Sequence, residues 1–206
     1  MNEPNAPEKR TAEETHAKSN HLDRSVSMGT ANLAGLFAGG AAVALCILFH
    51  FLIQGREGLL QPLDAFFGKP LLWLPAVAVA IVIHELIHGL TWTMLGRLPR
   101  GSIHYGFNLK TFTPYAHCRV PMAVRPYWWG AAAPGLILGL LPAIVGSSLH
   151  WGFLTGLGWF MSLAAGGDLL ILALLARDRP DALVEDHPTR AGCRIVENIP
   201  PVPASV

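Results

Sequence analysis

The chain has 206 residues, of which 51% are hydrophobic and only 14% are charged. Soluble domains usually carry about a quarter charged residues, so this composition argues against both a disordered chain and an ordinary soluble domain. A net charge of +1 provides no basic excess for nucleic acid, and three scattered cysteines cannot build a disulfide framework. We therefore expect no nucleic-acid partner.

Four long apolar segments account for the low charge. They cover residues 31–53, 70–96, 129–149 and 151–176. Together they contain two acidic residues, Glu85 and Asp168, and no lysine or arginine. Each is long enough, at about 1.5 Å per residue, to cross a hydrocarbon layer of about 30 Å. The pattern predicts an all-α integral membrane protein with four transmembrane helices in contact with the lipid bilayer. Residues 31–176 form its membrane domain, residues 1–30 a disordered tail and residues 177–206 a polar tail.

The connection between the second and third segments indicates the orientation. It carries five basic residues and no acidic one. The basic residues are Arg97, Arg100, Lys110, Arg119 and Arg125. By the positive-inside rule this connection lies in the cytosol, and four spans then place both termini there as well. We expect a multi-pass protein of the cell's inner membrane.

The same connection contains a strand-like pattern. Ile103, Tyr105 and Phe107 alternate with polar or small residues, and a second extended run follows a break at Pro114. This pattern predicts a small cytosolic β-hairpin between the second and third helices, over residues 103–120. The unpaired edge of such a hairpin could receive an extended peptide as an added strand.

The second segment contains the motif HExxH, as His84-Glu85-Leu86-Ile87-His88. On a helix the two histidines face the same side and can bind one Zn²⁺, while Glu85 can take a proton from water that the metal activates. The composition gives a chance expectation of roughly 0.015 such motifs in the chain, so coincidence is a poor explanation. Ionisable groups in the membrane cost at least about 2.5–3.5 kcal/mol each, and a bound cation would offset this cost.

A catalytic zinc site usually has three protein ligands and an open fourth position. Asp168 is the candidate third ligand, because the second and fourth segments run in the same direction and their acidic residues differ in depth by about 3 Å. Gly166 and Gly167 would allow a close helix approach or a local bend beside it. We expect one Zn²⁺ per chain, bound by His84, His88 and Asp168; a buried structural aspartate is the alternative.

Two residues of the basic connection are candidates for contact with the substrate. His117 and Arg125 could bind substrate or stabilise the negative charge that develops on a carbonyl oxygen. A solvated histidine is the competing interpretation of His117. The spacing alone does not decide between these roles.

Several short segments occur together in residues 72–197. They are His84-Glu85-Leu86-Ile87-His88-Gly89, Tyr115-Ala116-His117-Cys118, Gly166-Gly167-Asp168 and Asp186-His187-Pro188 with Gly192-Cys193. This combination resembles a bacterial family of membrane proteins classed as putative zincin peptidases. It is also similar to the site-2 protease group of intramembrane metalloproteases, in which an aspartate on a later transmembrane helix completes the HExxH site, although here Gly-Gly-Asp replaces the group's Asp-Gly pair. The resemblance implies peptidase activity, with His84, His88 and Asp168 as ligands and Glu85 as general base.

The sequence therefore predicts an intramembrane zinc metallopeptidase that hydrolyses a peptide bond in a membrane-protein or peptide substrate. The alternative is a divalent-metal transporter or a metal-sensing membrane protein, in which the HExxH helix lines a pathway and no bond is cut. A glutamine at Glu85 discriminates between them, because only hydrolysis needs this carboxylate as a base.

Overall fold

The computed structural model of the protein describes residues 21–109 and 113–196. Its helices are α1 (Met28–Gly58), α2 (Gln61–Phe67), α3 (Pro70–Gly96), α4 (Val124–Pro134), α5 (Leu141–Ser148), α6 (Gly152–Ala164) and α7 (Gly166–Leu175), with a π-helical segment (Gly135–Leu140) between α4 and α5. Its strands are β1 (His21–Val26), β2 (Ile103–Asn108), β3 (Thr113–Cys118), β4 (Met122–Ala123), β5 (Leu183–Asp186) and β6 (Ala191–Val196).

Three helical runs are long and apolar enough to cross a membrane: α1, α3 and the continuous run Val124–Ser148. Helices α6 and α7 are bent by 46° at the break between them and make a fourth span if the pair is counted as one. The coarse prediction of a mostly helical chain with three to four apolar spans is confirmed. The π-helical segment lies just before Pro142, whose missing N–H removes one bond from the regular helical ladder.

The chain contains more β-structure than the all-α prediction allowed. Strands β2 and β3 pair with each other, and the other four form an antiparallel sheet in the order β1-β6-β5-β4. β1 therefore falls within residues 1–30, the predicted disordered tail, and β5 and β6 fall within residues 177–206, the predicted polar tail. Residues 1–20 and 197–206 lie outside the described residues.

The four-stranded sheet is built from partners that are far apart in the chain. His21 pairs with Val196, and Met122 pairs with Val184. A local sequence pattern cannot reveal such pairing, and these strands are short and carry charged residues. Two alternate residues of β6 are buried, Cys193 and Ile195. They join the sheet to a hydrophobic core that also contains residues of α3, α4 and α7.

The break between α6 and α7 sets the position of Asp168. Gly166 packs against the backbone of α1, where a Cβ atom added at Gly166 would lie 2.0 Å from the carbonyl oxygen of Gly35. The expected bend beside the glycine pair is present, and the close backbone approach that Gly166 permits is to α1 rather than to α3. Asp168 consequently lies in the first turn of α7.

Candidate metal centre

The two histidines of the HExxH motif lie one turn apart on α3 and are both buried. Their rings are 4.8 Å apart between centroids, and their Nε2 atoms are 3.2 Å apart. The i, i+4 spacing on a continuous helix produces this arrangement directly, because side chains four residues apart lie on the same face. Both Nε2 atoms point to the same place.

Asp168 reaches the same place from α7. Its Oδ2 atom lies 3.1 Å from Nε2 of His84, and its Oδ1 atom lies 3.3 Å from Nε2 of His88. The three side chains each offer a ligand atom, and these atoms all lie within 4.8 Å of one another. Two imidazole nitrogens and one carboxylate oxygen are a donor set that zinc accepts, with a fourth position left for water or substrate.

The second nitrogen of His88 supports a ligand role for the first. Nδ1 of His88 lies 2.8 Å from the carbonyl oxygen of Gly130 in α4. A carbonyl oxygen can only accept a hydrogen bond, so Nδ1 carries the proton and Nε2 of the neutral ring keeps its lone pair for a metal ion. The residues present therefore fit a zinc ion.

A stack of rings holds His88 in this orientation. The ring of His88 stacks on Trp92 at 5.2 Å, and Trp92 stacks on Tyr127 at 5.3 Å. The indole N–H of Trp92 donates to the carbonyl oxygen of Tyr127 at 3.0 Å, which fixes α3 against α4. The absence of a side chain at Gly130 makes room for this stack, because a Cβ atom there would lie 1.9 Å from Nε1 of Trp92.

We expect Gly130→Ala to weaken zinc binding by roughly 10- to 100-fold, the usual effect of disturbing an outer-shell partner of a ligand histidine. Trp92 stacks on both His88 and Tyr127, so we expect the new methyl group to displace the Gly130 carbonyl that holds His88. Titration of the purified protein with a competing zinc chelator measures the change. Gly40→Ala is the matched control, because a Cβ atom added there meets nothing within 4 Å; equal affinities in the two variants would contradict the expectation.

Glu85 lies beside the ligands. Its side chain is half-buried, and it lines the same cavity of about 1000 Å³ as His84, His88 and Asp168. The backbone of Ala116 in β3 lies near this carboxylate. A carboxylate at this position is placed to exchange protons with a molecule in the cavity.

His117 lines this cavity as well, at the end near the strands. Its Nδ1 atom lies 3.0 Å from Oδ2 of Asp186, the last residue of β5. The hydrogen bond to Asp186 raises the pKa of His117 above its ordinary value. Asp186 also accepts hydrogen bonds from the hydroxyl of Tyr127 at 2.6 Å and from the backbone N–H of Cys118 at 2.8 Å.

Arg125 does not join this group. It lines a separate cavity of about 320 Å³ near the end of α7. The reason is the anchoring of the start of α4, where the backbone N–H groups of Val124 and Arg125 donate to the carbonyl oxygens of Ala182 and Pro180. Its nearness to the hairpin in sequence therefore does not bring it to the metal centre.

Sequence reasoning did not find the partners that hold the site residues. Asp186 stood in one of the segments that carry the family resemblance, but it received no role. Trp92 lies four residues after His88, and this spacing on one helix face was a usable signal for a ring stack. Tyr127 and Gly130 carried no comparable signal, because their contacts depend on how α4 packs against α3.

Comparison with known protein families finds one match in the central part of the chain. Residues 77–183 match the family described as "Putative zincin peptidase". The matched range contains all three candidate ligands, Glu85 and His117. The chain belongs to this family. Membership of the zincin peptidase family supports metallopeptidase activity and zinc binding for this chain. No curated protein and no solved structure matches the chain.

Proposed function

We propose that this member of the zincin peptidase family is an intramembrane zinc metallopeptidase. The observation that carries the proposal is the convergence of His84, His88 and Asp168, with their ligand atoms within 4.8 Å of one another, beside the carboxylate of Glu85. Two of the ligands and Glu85 lie near the middle of α3, a helix long and apolar enough to cross a membrane. The proposed reaction is hydrolysis of a peptide bond in a membrane-protein or peptide substrate.

The roles of the residues follow from their chemistry. His84, His88 and Asp168 would hold one Zn²⁺ per chain, which would act as a Lewis acid that makes water more acidic and polarises a carbonyl oxygen. Glu85 takes the proton from water as the water oxygen attacks the carbonyl carbon. Glu85 then delivers a proton to the amine nitrogen as the carbon–nitrogen bond breaks, which returns the carboxylate to its starting state.

The four-stranded sheet supports a topology of four spans with both termini on one side. β1 precedes α1, β4 lies between α3 and α4, and β5 follows α7, yet these strands belong to one sheet. An open sheet cannot lie in lipid, so its strands share one side of the membrane and an even number of spans separates them. Two spans between β1 and β4 and two between β4 and β5 satisfy this condition.

The basic connection then indicates on which side of the membrane the sheet lies. The segment between α3 and α4, which contributes β4 to the sheet, carries four basic residues and no acidic one, and a fifth basic residue, Arg125, lies at the start of α4. The positive-inside rule favours the cytosol for this segment, and hence for the sheet and both termini of a multi-pass inner-membrane protein. The broken fourth span, α6 with α7, brings Asp168 to the site at the bend.

Hydrolysis and metal transport can be separated in one preparation. We expect purified wild-type protein to cleave β-casein, an unfolded general substrate, and 1,10-phenanthroline to stop cleavage until zinc is restored. The same protein in sealed vesicles containing a zinc-sensitive dye should move no more zinc than empty vesicles. Zinc flux without any casein cleavage would overturn the proposal in favour of a transporter.

A further inference from the structure

Asp186 accepts hydrogen bonds from the groups around it. Both the Tyr127 hydroxyl and the Cys118 backbone N–H are donors, and the shorter of these contacts is 2.6 Å. A carboxylate that already accepts two hydrogen bonds favours a donor in the third contact as well. Nδ1 of His117, 3.0 Å from Oδ2, therefore carries a proton that it donates to Asp186.

The other ring nitrogen of His117 is then the one available to a ligand. No hydrogen bond to Nε2 of His117 is present among residues 21–109 and 113–196, and the side chain lines the cavity that contains the metal centre. If the ring is neutral, Nε2 is an acceptor; if the ring is protonated, Nε2–H is a donor that carries positive charge.

We propose that protonated His117 is a further catalytic residue of this enzyme: its Nε2–H donates a hydrogen bond to the carbonyl oxygen of the scissile peptide bond, and Asp186 is the positioning residue that holds it. The inference rests on the proposed peptidase function. Negative charge develops on that oxygen as water attacks the carbonyl carbon, and it is withdrawn when the carbon–nitrogen bond breaks. A charged donor fixed in advance stabilises the oxygen most at the moment of highest charge.

The surroundings of His117 contain charges of both signs. Arg119 follows two residues later and opposes a positive charge at His117. His104 lies opposite His117 in the β2–β3 register. Asp186 on β5 favours that charge and outweighs burial and Arg119, so the pKa of His117 lies above the ordinary 6.5. The protonated form is complete below this pKa and is lost as the pH rises through it, so activity should fall on the alkaline side.

The pH dependence of casein cleavage tests the proposal. We expect His117→Ala to lower kcat by about 100- to 1000-fold with little change in KM, the usual loss for one oxyanion donor. Asp186→Asn should move the alkaline limb of the pH profile, where activity falls, to lower pH by about one unit. His117→Arg, which stays charged, should keep more activity than His117→Ala and lose that limb. His150→Asn, a change in the turn between α5 and α6, is the control and should match wild type.

A second measurement does not depend on catalysis. In full-length protein labelled with ¹³C in its histidine rings, His117 should titrate above the ordinary value, and Asp186→Asn should lower its midpoint. Tyr127→Phe removes a competing donor from Asp186 and provides a second variant if Asp186→Asn folds poorly; because the carboxylate then interacts more strongly with His117, the midpoint should rise. An unchanged midpoint in both variants would overturn the positioning role of Asp186.

The outcomes separate this inference from the proposed function. If Glu85→Gln is inactive while His117→Ala cleaves at the wild-type rate, the peptidase proposal stands and the role of His117 is refuted. If wild-type protein cleaves nothing under any condition, the peptidase proposal fails, and the proposed role of His117 fails with it. A lowered kcat in His117→Ala, together with an alkaline limb of the pH profile that is shifted in Asp186→Asn, supports both the peptidase function and the role of His117.

Discussion

Glu85→Gln is expected to abolish peptide hydrolysis and leave zinc bound. Glutamine has the shape of glutamate but cannot take a proton from water, and loss of a positioned general base costs about 100- to 10,000-fold in rate. The three ligand side chains are unchanged in this variant. Glutamine also keeps the size of the side chain that lies near Ala116 of β3.

Two measurements on the same sample check this expectation: the rate of β-casein cleavage, and the zinc content by inductively coupled plasma mass spectrometry. Glu57→Gln is the matched control, because Glu57 is an exposed carboxylate at the end of α1 and does not line the cavity. We expect Glu57→Gln to behave as wild type in both measurements. Undiminished cleavage by Glu85→Gln would mean that another group is the base.

Asp168→Ala is expected to remove zinc from the purified protein. The substitution deletes the only carboxylate that lies within 4 Å of His84 and His88 in the described part of the chain, and two imidazoles alone make an incomplete site. We expect the affinity for zinc to fall on the order of 100-fold or more. Zinc should raise the melting temperature of wild type, since it binds the folded state, and should have little effect on the variant.

The control for Asp168→Ala is Asp181→Asn, which changes an exposed aspartate paired with Arg179. Its zinc content and its thermal response to zinc should equal those of wild type. Should Asp168→Ala retain one zinc per chain, Asp168 would be a structural aspartate, the alternative that the sequence left open. His84→Ala offers an independent check, because it deletes a ligand from the other helix.

How much of the site could be predicted depends on which contacts are local. His84 and His88 share a helix face, so their arrangement follows from spacing alone, and Asp168 stood out because acidic residues are rare in apolar spans. The structure brings these three side chains together; their role as ligands stays a prediction. The helical spans were equally predictable, since length and composition suffice.

The contacts that depend on distant pairing were not predictable. Asp186 reaches His117 only because β5 lies between β6 and β4, and β6 in turn pairs with β1 near the other end of the chain. Short strands with charged residues give no local signal for this order. The distance of Arg125 from the centre has the same origin, because the segment that follows α7 fixes the start of α4.

The order in which the residues of the candidate metal centre occur along the chain has a consequence for biosynthesis. The HExxH helix leaves the ribosome early, whereas Asp168 and then Asp186 are added some eighty to one hundred residues later in the printed sequence. A nascent chain that has inserted only its first spans therefore holds two histidines without their carboxylate. Under the proposed mechanism, hydrolysis therefore becomes possible only after translation has passed the bend between α6 and α7.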